Sequence, residues 1–82
     1  MDKRMGVIAI IVKDRKAVSA KVNEILTEYG EIIIGRMGIP YKEKNINIIS
    51  LIVEATTDEI GSLTGKLGML PQVEVKSTLI TK

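Results

Sequence analysis

From Met5 to Lys13 the chain is apolar at successive positions. An extended strand there places Val7, Ala9 and Ile11 on one face and Ile8, Ile10 and Val12 on the other. A strand apolar on both faces belongs in the middle of a sheet. The pattern then changes period: Val18, Val22, Ile25, Leu26 and Tyr29 follow the i, i+4, i+7, i+8, i+11 spacing of one helical stripe, with Asp14 placed to cap the helix. Gly30 stands where a residue in the left-handed region would end it.

Glu31 to Ile39 reads as a second strand, interrupted by Gly35 and Gly38, and Pro40 with Tyr41-Lys42-Glu43-Lys44 reads as a turn. Glycines and a following proline suit a sheet edge. Asn45 to Ala55 is a third strand with Ile46, Ile48 and Ile52 on one face and Ile49, Leu51 and Val53 on the other, again central in character. Thr56-Thr57-Asp58-Glu59 has the form of a capping box, opening a helix that buries Ile60, Leu63 and Leu67 and ends at Gly68. After Leu70-Pro71, Val73 to Thr81 alternates cleanly, with Val73, Val75 and Leu79 opposite Glu74, Lys76 and Thr78, as an edge strand does.

The order is βαββαβ. Two apolar strands in the centre and two weaker ones outside predict an α+β, ferredoxin-like sandwich with a four-stranded antiparallel sheet in the order 4-1-3-2. The two halves echo each other weakly, in Glu-Tyr-Gly-Glu-Ile after the first helix and Gly-Met-Leu-Pro-Gln-Val after the second. Two helices cover one face of such a sheet. Ile and Val side chains must line the other, and an open apolar face on a small domain marks an interface.

Length supports one domain over residues 1–82: the chain is long enough for one core and too short for two. A domain of this size has a thin stability margin, so association with copies of itself, as a dimer or tetramer, is expected. Cys and His are both absent. That excludes thiolate and imidazole metal sites, disulfides and His-dependent triads, and no cofactor or catalytic residue is expected. Net charge is +2 with Lys and Arg dispersed, Phe and Trp are absent, and Tyr29 and Tyr41 are the two aromatics. A basic stripe and stacking platforms are both missing, so sequence-specific DNA binding by this chain alone is not expected. The apolar run from Met5 to Val12 is far too short for a membrane span, which makes a cytoplasmic, membrane-free location the expectation.

Three constellations stand out against simpler explanations. Asp14-Arg15-Lys16, with Ala17 and Val18, opens the first helix and could offer its N-terminus and two cations to an anion, or be a cap with solvated basic neighbours. Arg36, Tyr41 and Lys42 flank the glycine- and proline-bearing end of the second strand, as a ligand rim, an intersubunit contact or an ordinary edge and turn. Gly61 and Gly65 could admit a partner chain or let the second helix sit close to its own sheet.

The segments Val12 to Val22 and Leu67-Gly68-Met69-Leu70-Pro71-Gln72-Val73 resemble the first strand, loop and helix and the closing element of the ACT domain. Lys16-Ala17 stands where amino-acid-binding ACT domains commonly carry Pro-Gly, and Gln72 stands where they carry glycine. More specifically, Gly35-Arg36-Met37-Gly38-Ile39-Pro40-Tyr41, Ile48 to Val53 and Leu63-Thr64-Gly65-Lys66-Leu67-Gly68 resemble the small stand-alone family described as iron-only hydrogenase system regulators, similar to the effector-binding domain of nickel-responsive repressors. The resemblance implies an ACT-like fold and a regulatory, non-enzymatic role, with a protein or small effector as partner. It does not carry over the metal, because the repressors' His and Cys ligands have no counterpart here. A module binding an amino acid or anion at the Asp14 to Val18 loop and a structural assembly subunit without a ligand are the rival readings; any ligand or partner site is expected to use Asp14 to Val18 together with Arg36, Tyr41 and Lys42, across a subunit boundary.

Overall fold

The computed structural model of the protein describes residues 2–13 and 16–80. In chain order they form β1 (Arg4–Lys13), α1 (Lys16–Glu28), a 3-10 turn (Gly30–Ile32), β2 (Ile33–Tyr41), a second 3-10 turn (Lys42–Lys44), β3 (Ile46–Ala55), α2 (Thr57–Gly68) and β4 (Val73–Leu79). The sheet is antiparallel throughout, in the order β2-β3-β1-β4, which is the expected 4-1-3-2 order read from the other edge.

Both helices lie on one face. Beneath them Ile8, Ile10 and Val12 of β1 and Ile49, Leu51, Val53 and Ala55 of β3 interleave with Val18, Val22 and Leu26 of α1 and Ile60, Leu63 and Leu67 of α2. These core positions are the ones the two periods mark in the sequence. Gly6 is required by a close approach: a Cβ there would lie 2.6 Å from Leu79 Cδ2 and 2.8 Å from the Thr78 carbonyl oxygen, so a side chain would push β4 away from β1.

The capping box forms as expected. The Thr56 hydroxyl accepts from the Glu59 backbone N–H at 3.1 Å, and the Glu59 carboxylate accepts from the Thr56 N–H at 2.8 Å. That second bond holds the Glu59 carboxyl below its ordinary range. The two helices are joined at their C-terminal and central turns. The Tyr29 and Ser62 hydroxyls are 2.6 Å apart, Lys66 Nζ donates to Glu28 Oε2 at 3.0 Å, and the same ammonium lies 5.2 Å above the Tyr29 ring.

Two local expectations need correction. Gly30 does not terminate α1 in the left-handed region; no described glycine has a positive φ, and Gly30 instead begins a 3-10 turn that drives Ile32 into the core. That turn takes up residues first assigned to the strand, so β2 runs from Ile33 to Tyr41 rather than from Glu31 to Ile39. A register shift between Ile33 and Gly35 bulges the edge at Ile34, which is left exposed. The left-handed positions are Asn45, at φ 57° after the Lys42–Lys44 turn, and Gln72, at φ 63° before β4. The second explains why glycine suits the Gln72 position in the resembling family: the backbone there turns left-handed.

Candidate functional site

The site residues anticipated from the sequence are distributed by the fold. Asp14 and Arg15 lie outside the described residues. Ala17 falls within α1, and Lys16 is its exposed first residue. Val18, 8% exposed, belongs to the core and anchors α1 instead of meeting solvent. Arg36 and Tyr41 both lie on β2, but five residues apart, and the pairing of Arg36 with Leu51 and of Tyr41 with Ile46 places them on opposite faces of the sheet. Tyr41 is on the open face. Lys42, exposed, begins the turn beyond it, and both border a crevice of about 100 Å³ with Pro40, Asn45, Ile46 and Asn47.

Arg36 is on the helix side, where its Nη2 donates to Asn23 Oδ1 of α1 at 2.9 Å. Asn23 is itself oriented by its Nδ2, which donates to the Ser19 carbonyl oxygen one turn earlier at 3.0 Å. Together these bonds brace the mouth of a groove of about 240 Å³ between α1 and the end of the sheet where β2 is the edge. Val12, Val22 and Ile49 lie in its floor, Gly38 and Pro40 along the edge strand, and Ser19 and Asn47, both half-buried, add a hydroxyl and an amide. Sequence reading did not single out Ser19, Asn23 or Asn47. The available signal was the i, i+4 spacing of Ser19 and Asn23, which puts both on one side of α1.

The other feature is the open face of the sheet. Cross-strand pairing aligns Val7 with Ile52 and Gly35, Ala9 with Ser50 and Met37, and Ile11 with Ile48 and Ile39. Met5, Val7, Met37, Ile39, Tyr41 and Ile52 on this face all have at least 39% of their surface exposed. On β4 the same face carries Glu74, Lys76 and Thr78, and Lys13 Nζ meets Glu74 Oε2 at 3.1 Å. The face is therefore an aliphatic field on β1, β3 and β2 bordered by charge along β4. Among the described residues no group of three or more His, Cys, Asp and Glu is placed to hold a metal ion, and no helix is long and apolar enough to cross a membrane.

Comparison with known proteins follows this geometry. The structure of an uncharacterized protein, TM1266 from Thermotoga maritima, is 39% identical in sequence, with a TM-score of 0.95 over 98% of this chain and 100% of that one. The ACT domain of GTP pyrophosphokinase from Chlorobium tepidum superposes with a TM-score of 0.76 at 18% identity, over 95% of this chain and 89% of that one. An ACT domain protein from Streptococcus pneumoniae gives 0.57 at 13% identity, over 93% and 89%. At those identities the two ACT domains show a common fold. No curated protein matches the chain. A family model matches residues 4–77, and the chain thus belongs to the TM1266-like family, whose description reads "Iron-only hydrogenase system regulator, putative".

Proposed function

We propose that this chain is a cytoplasmic, non-enzymatic regulatory domain of an iron-only hydrogenase system, that it works as a homo-oligomer, and that it responds to a protein or small effector. The family description and the ACT-like fold support the regulatory role. The observation that carries the mechanism is the open sheet face. Met5, Val7, Met37, Ile39, Tyr41 and Ile52 each stay at least 39% exposed on that face, a concentration of large apolar side chains that a second copy would cover. Covering the aliphatic field on β1, β3 and β2 with a second copy removes the most apolar part of that surface, while the β4 charges set the orientation.

In this reading the domain contacts no DNA sequence by itself; dispersed cations and a net charge of +2 give it little electrostatic footprint, and a partner supplies any DNA contact. The test is deletion of the gene in its own host with hydrogenase transcript and hydrogen evolution measured in parallel. A change in either, restored by the gene supplied in trans, is expected. Unchanged transcript and unchanged activity would overturn the reading.

A further inference from the structure

We propose that the β4 edge is a second self-association surface, pairing antiparallel with β4 of another copy about a two-fold axis at Val75 and so joining two four-stranded sheets into one continuous sheet. The inference deepens the homo-oligomer proposed above and rests on that reading for the covering of the open face. It makes the assembly a tetramer, in which two face-paired copies meet two others along β4.

Three observations converge. First, the two edges of the sheet differ. β2 has a register shift between Ile33 and Gly35 and includes Pro40, which has no N–H, so it is a poor template for another strand. β4 holds neither glycine nor proline and pairs with β1 without a shift. The Lys13 N–H donates to the Gln72 carbonyl oxygen and the Ile80 N–H to the Met5 carbonyl oxygen. Antiparallel alternation from these two bonds turns the backbone groups of Glu74, Lys76 and Thr78 towards β1 and those of Val73, Val75 and Ser77 outward.

Second, the edge is self-complementary in one register. A lone lysine on an edge repels a second copy, but Lys76 stands two residues from Glu74 on the same face. A two-fold at Val75 sets Glu74 of each copy opposite Lys76 of the other, and Val75 opposite Val75 on the helix side, where Val73 and Val75 are half-buried. A two-fold at Glu74 or Lys76 would oppose like charges. One at Ser77 would leave both charges opposite neutral side chains.

Third, α2 leaves room above this edge. Ser62 and Lys66 meet Tyr29 and Glu28 of α1, while Ile60, Leu63 and Leu67 are buried in the core. At about 100° per residue, Gly61, Gly65 and Gly68 then lie on the flank turned away from α1, the side on which β4 is the edge. A Cβ at any of the three would meet nothing within 4 Å, so packing of α2 on its own sheet does not require them, although an interior helix glycine costs about 1 kcal/mol against alanine. Across the β4 junction they let the two α2 helices approach. The paired segment is short, so one junction alone is weak; face-paired copies present two at once, and the second forms at high effective concentration.

The test is sedimentation of the full chain at micromolar concentration, with amide hydrogen exchange measured in parallel. The unsubstituted protein should have the mass of four copies, with the outward amides of Val75 and Ser77 protected from exchange. Lys76→Glu opposes like charges at every junction, so the tetramer should weaken at least about a hundredfold to a species of two copies, and those amides should exchange freely while Glu74 and Thr78 keep their protection from β1. Glu74→Lys should do the same. Mixing the two variants in equal amounts should restore the tetramer, because each junction then sets two acids against two lysines. Both side chains are exposed, so an unchanged melting temperature shows that each variant is folded. Gly61→Leu should weaken the tetramer without lowering the melting temperature. The proposal is overturned if the unsubstituted protein stops at one or two copies, if Lys76→Glu remains a tetramer, if the mixture fails to reassociate, or if Gly61→Leu leaves the affinity unmoved. None of these measurements reads hydrogenase expression. A silent gene deletion would thus refute the regulatory reading and leave the junction standing, and a protein that stops at two copies would do the opposite.

Discussion

Ile8 and Ile10 of β1 are fully buried, whereas Val7 between Gly6 and Ile8 is 43% exposed and its β3 partner Ile52 is 46% exposed. The residue types are the same and the strands are the same; what differs is that α1 and α2 both pack on one side. The covered face has its partner within the chain, and its contacts are fixed when the chain folds. The open face has none among the described residues, and on the proposal above it is the surface that a second copy covers. The comparison separates two surfaces that a single hydropathy value merges: one is sealed within the fold, and the other is the one proposed for assembly.

The largest effects should come from the covered face. Leu51 is fully buried at the centre of β3, and Leu51→Ala removes its side chain from a close-packed layer between two helices. A loss of about 2–5 kcal/mol is expected, measured by urea unfolding, and it should appear in the monomer as well as in any oligomer. A loss under 1 kcal/mol would mean that the core is loosely packed and that the contrast between the faces is overstated.

Ile52→Lys tests the other side of the same strand, one residue away. Val7 and Gly35 flank Ile52 in the pairing, so the new ammonium would sit in the middle of the aliphatic field. Sedimentation should show an assembly in the unsubstituted protein and a species near 9.0 kDa in the variant, with the far-ultraviolet dichroism retained. An ammonium buried without a partner costs several kcal/mol, which corresponds to a dissociation constant raised by at least about a hundredfold. If the unsubstituted chain sediments as a monomer at micromolar concentration, the open face is not a self-association surface.

Much of this contrast was legible before any coordinates. The alternation in β1 and β3 marks both faces, and βαββαβ order leaves one of them without helices. The Thr56–Glu59 spacing also announced its capping box correctly. Gly30 was misleading because a glycine after an amphipathic helix fits a left-handed cap and a 3-10 turn equally well; the outcome was decided by burial of Ile32, a tertiary effect. The division of Arg36 from Tyr41 was legible in principle, since an odd separation along a strand means opposite faces. The α1–β2 groove was not. It depends on how far α1 stands from the edge strand; the i, i+4 spacing of Ser19 and Asn23 puts them on one side of α1 but does not say that this side faces β2, and Asn47 carries no spacing signal at all.

A smaller effect should come from the cap that holds α2 over the covered face. Thr56→Ala removes the acceptor for the Glu59 N–H, and a loss of about 1 kcal/mol is expected at neutral pH, with sedimentation unchanged. Glu59 adds a pH dependence whose sign is fixed by its bond from the Thr56 N–H, which places its folded pKa below the ordinary value of 4.5. A depressed carboxyl pKa stabilises above the unfolded value, and that contribution is lost as pH falls through the folded one. The stability gap between the unsubstituted chain and Glu59→Gln should therefore be widest at neutral pH and close between pH 5 and acid. A gap that widened on acidification would contradict the capping geometry.

The smallest effect concerns Gln72, whose φ of 63° sits at the turn that sets the register of β4. Its carbonyl oxygen accepts from the Lys13 N–H at 2.8 Å, and the next residue, Val73, pairs with Val12. This turn therefore decides that Val73 and Val75 face the helices and that Glu74 and Lys76 border the open face. A non-glycine residue in the left-handed region costs about 1–2 kcal/mol, and glycine relieves that strain while adding roughly 0.4–1 kcal/mol of unfolded-chain entropy. Gln72→Gly should thus raise stability by a few tenths of a kcal/mol to about 1 kcal/mol, whereas Gln72→Val, β-branched, should lower it by a comparable amount. Neither should alter sedimentation, because the hydrogen bond from Lys13 is made by the backbone and β4 keeps its register in both. A change in assembly from either variant would show that the border of the open face depends on this turn's strain, and that the two faces are energetically coupled through β4. Opposite stability shifts with unchanged assembly would show that they are independent.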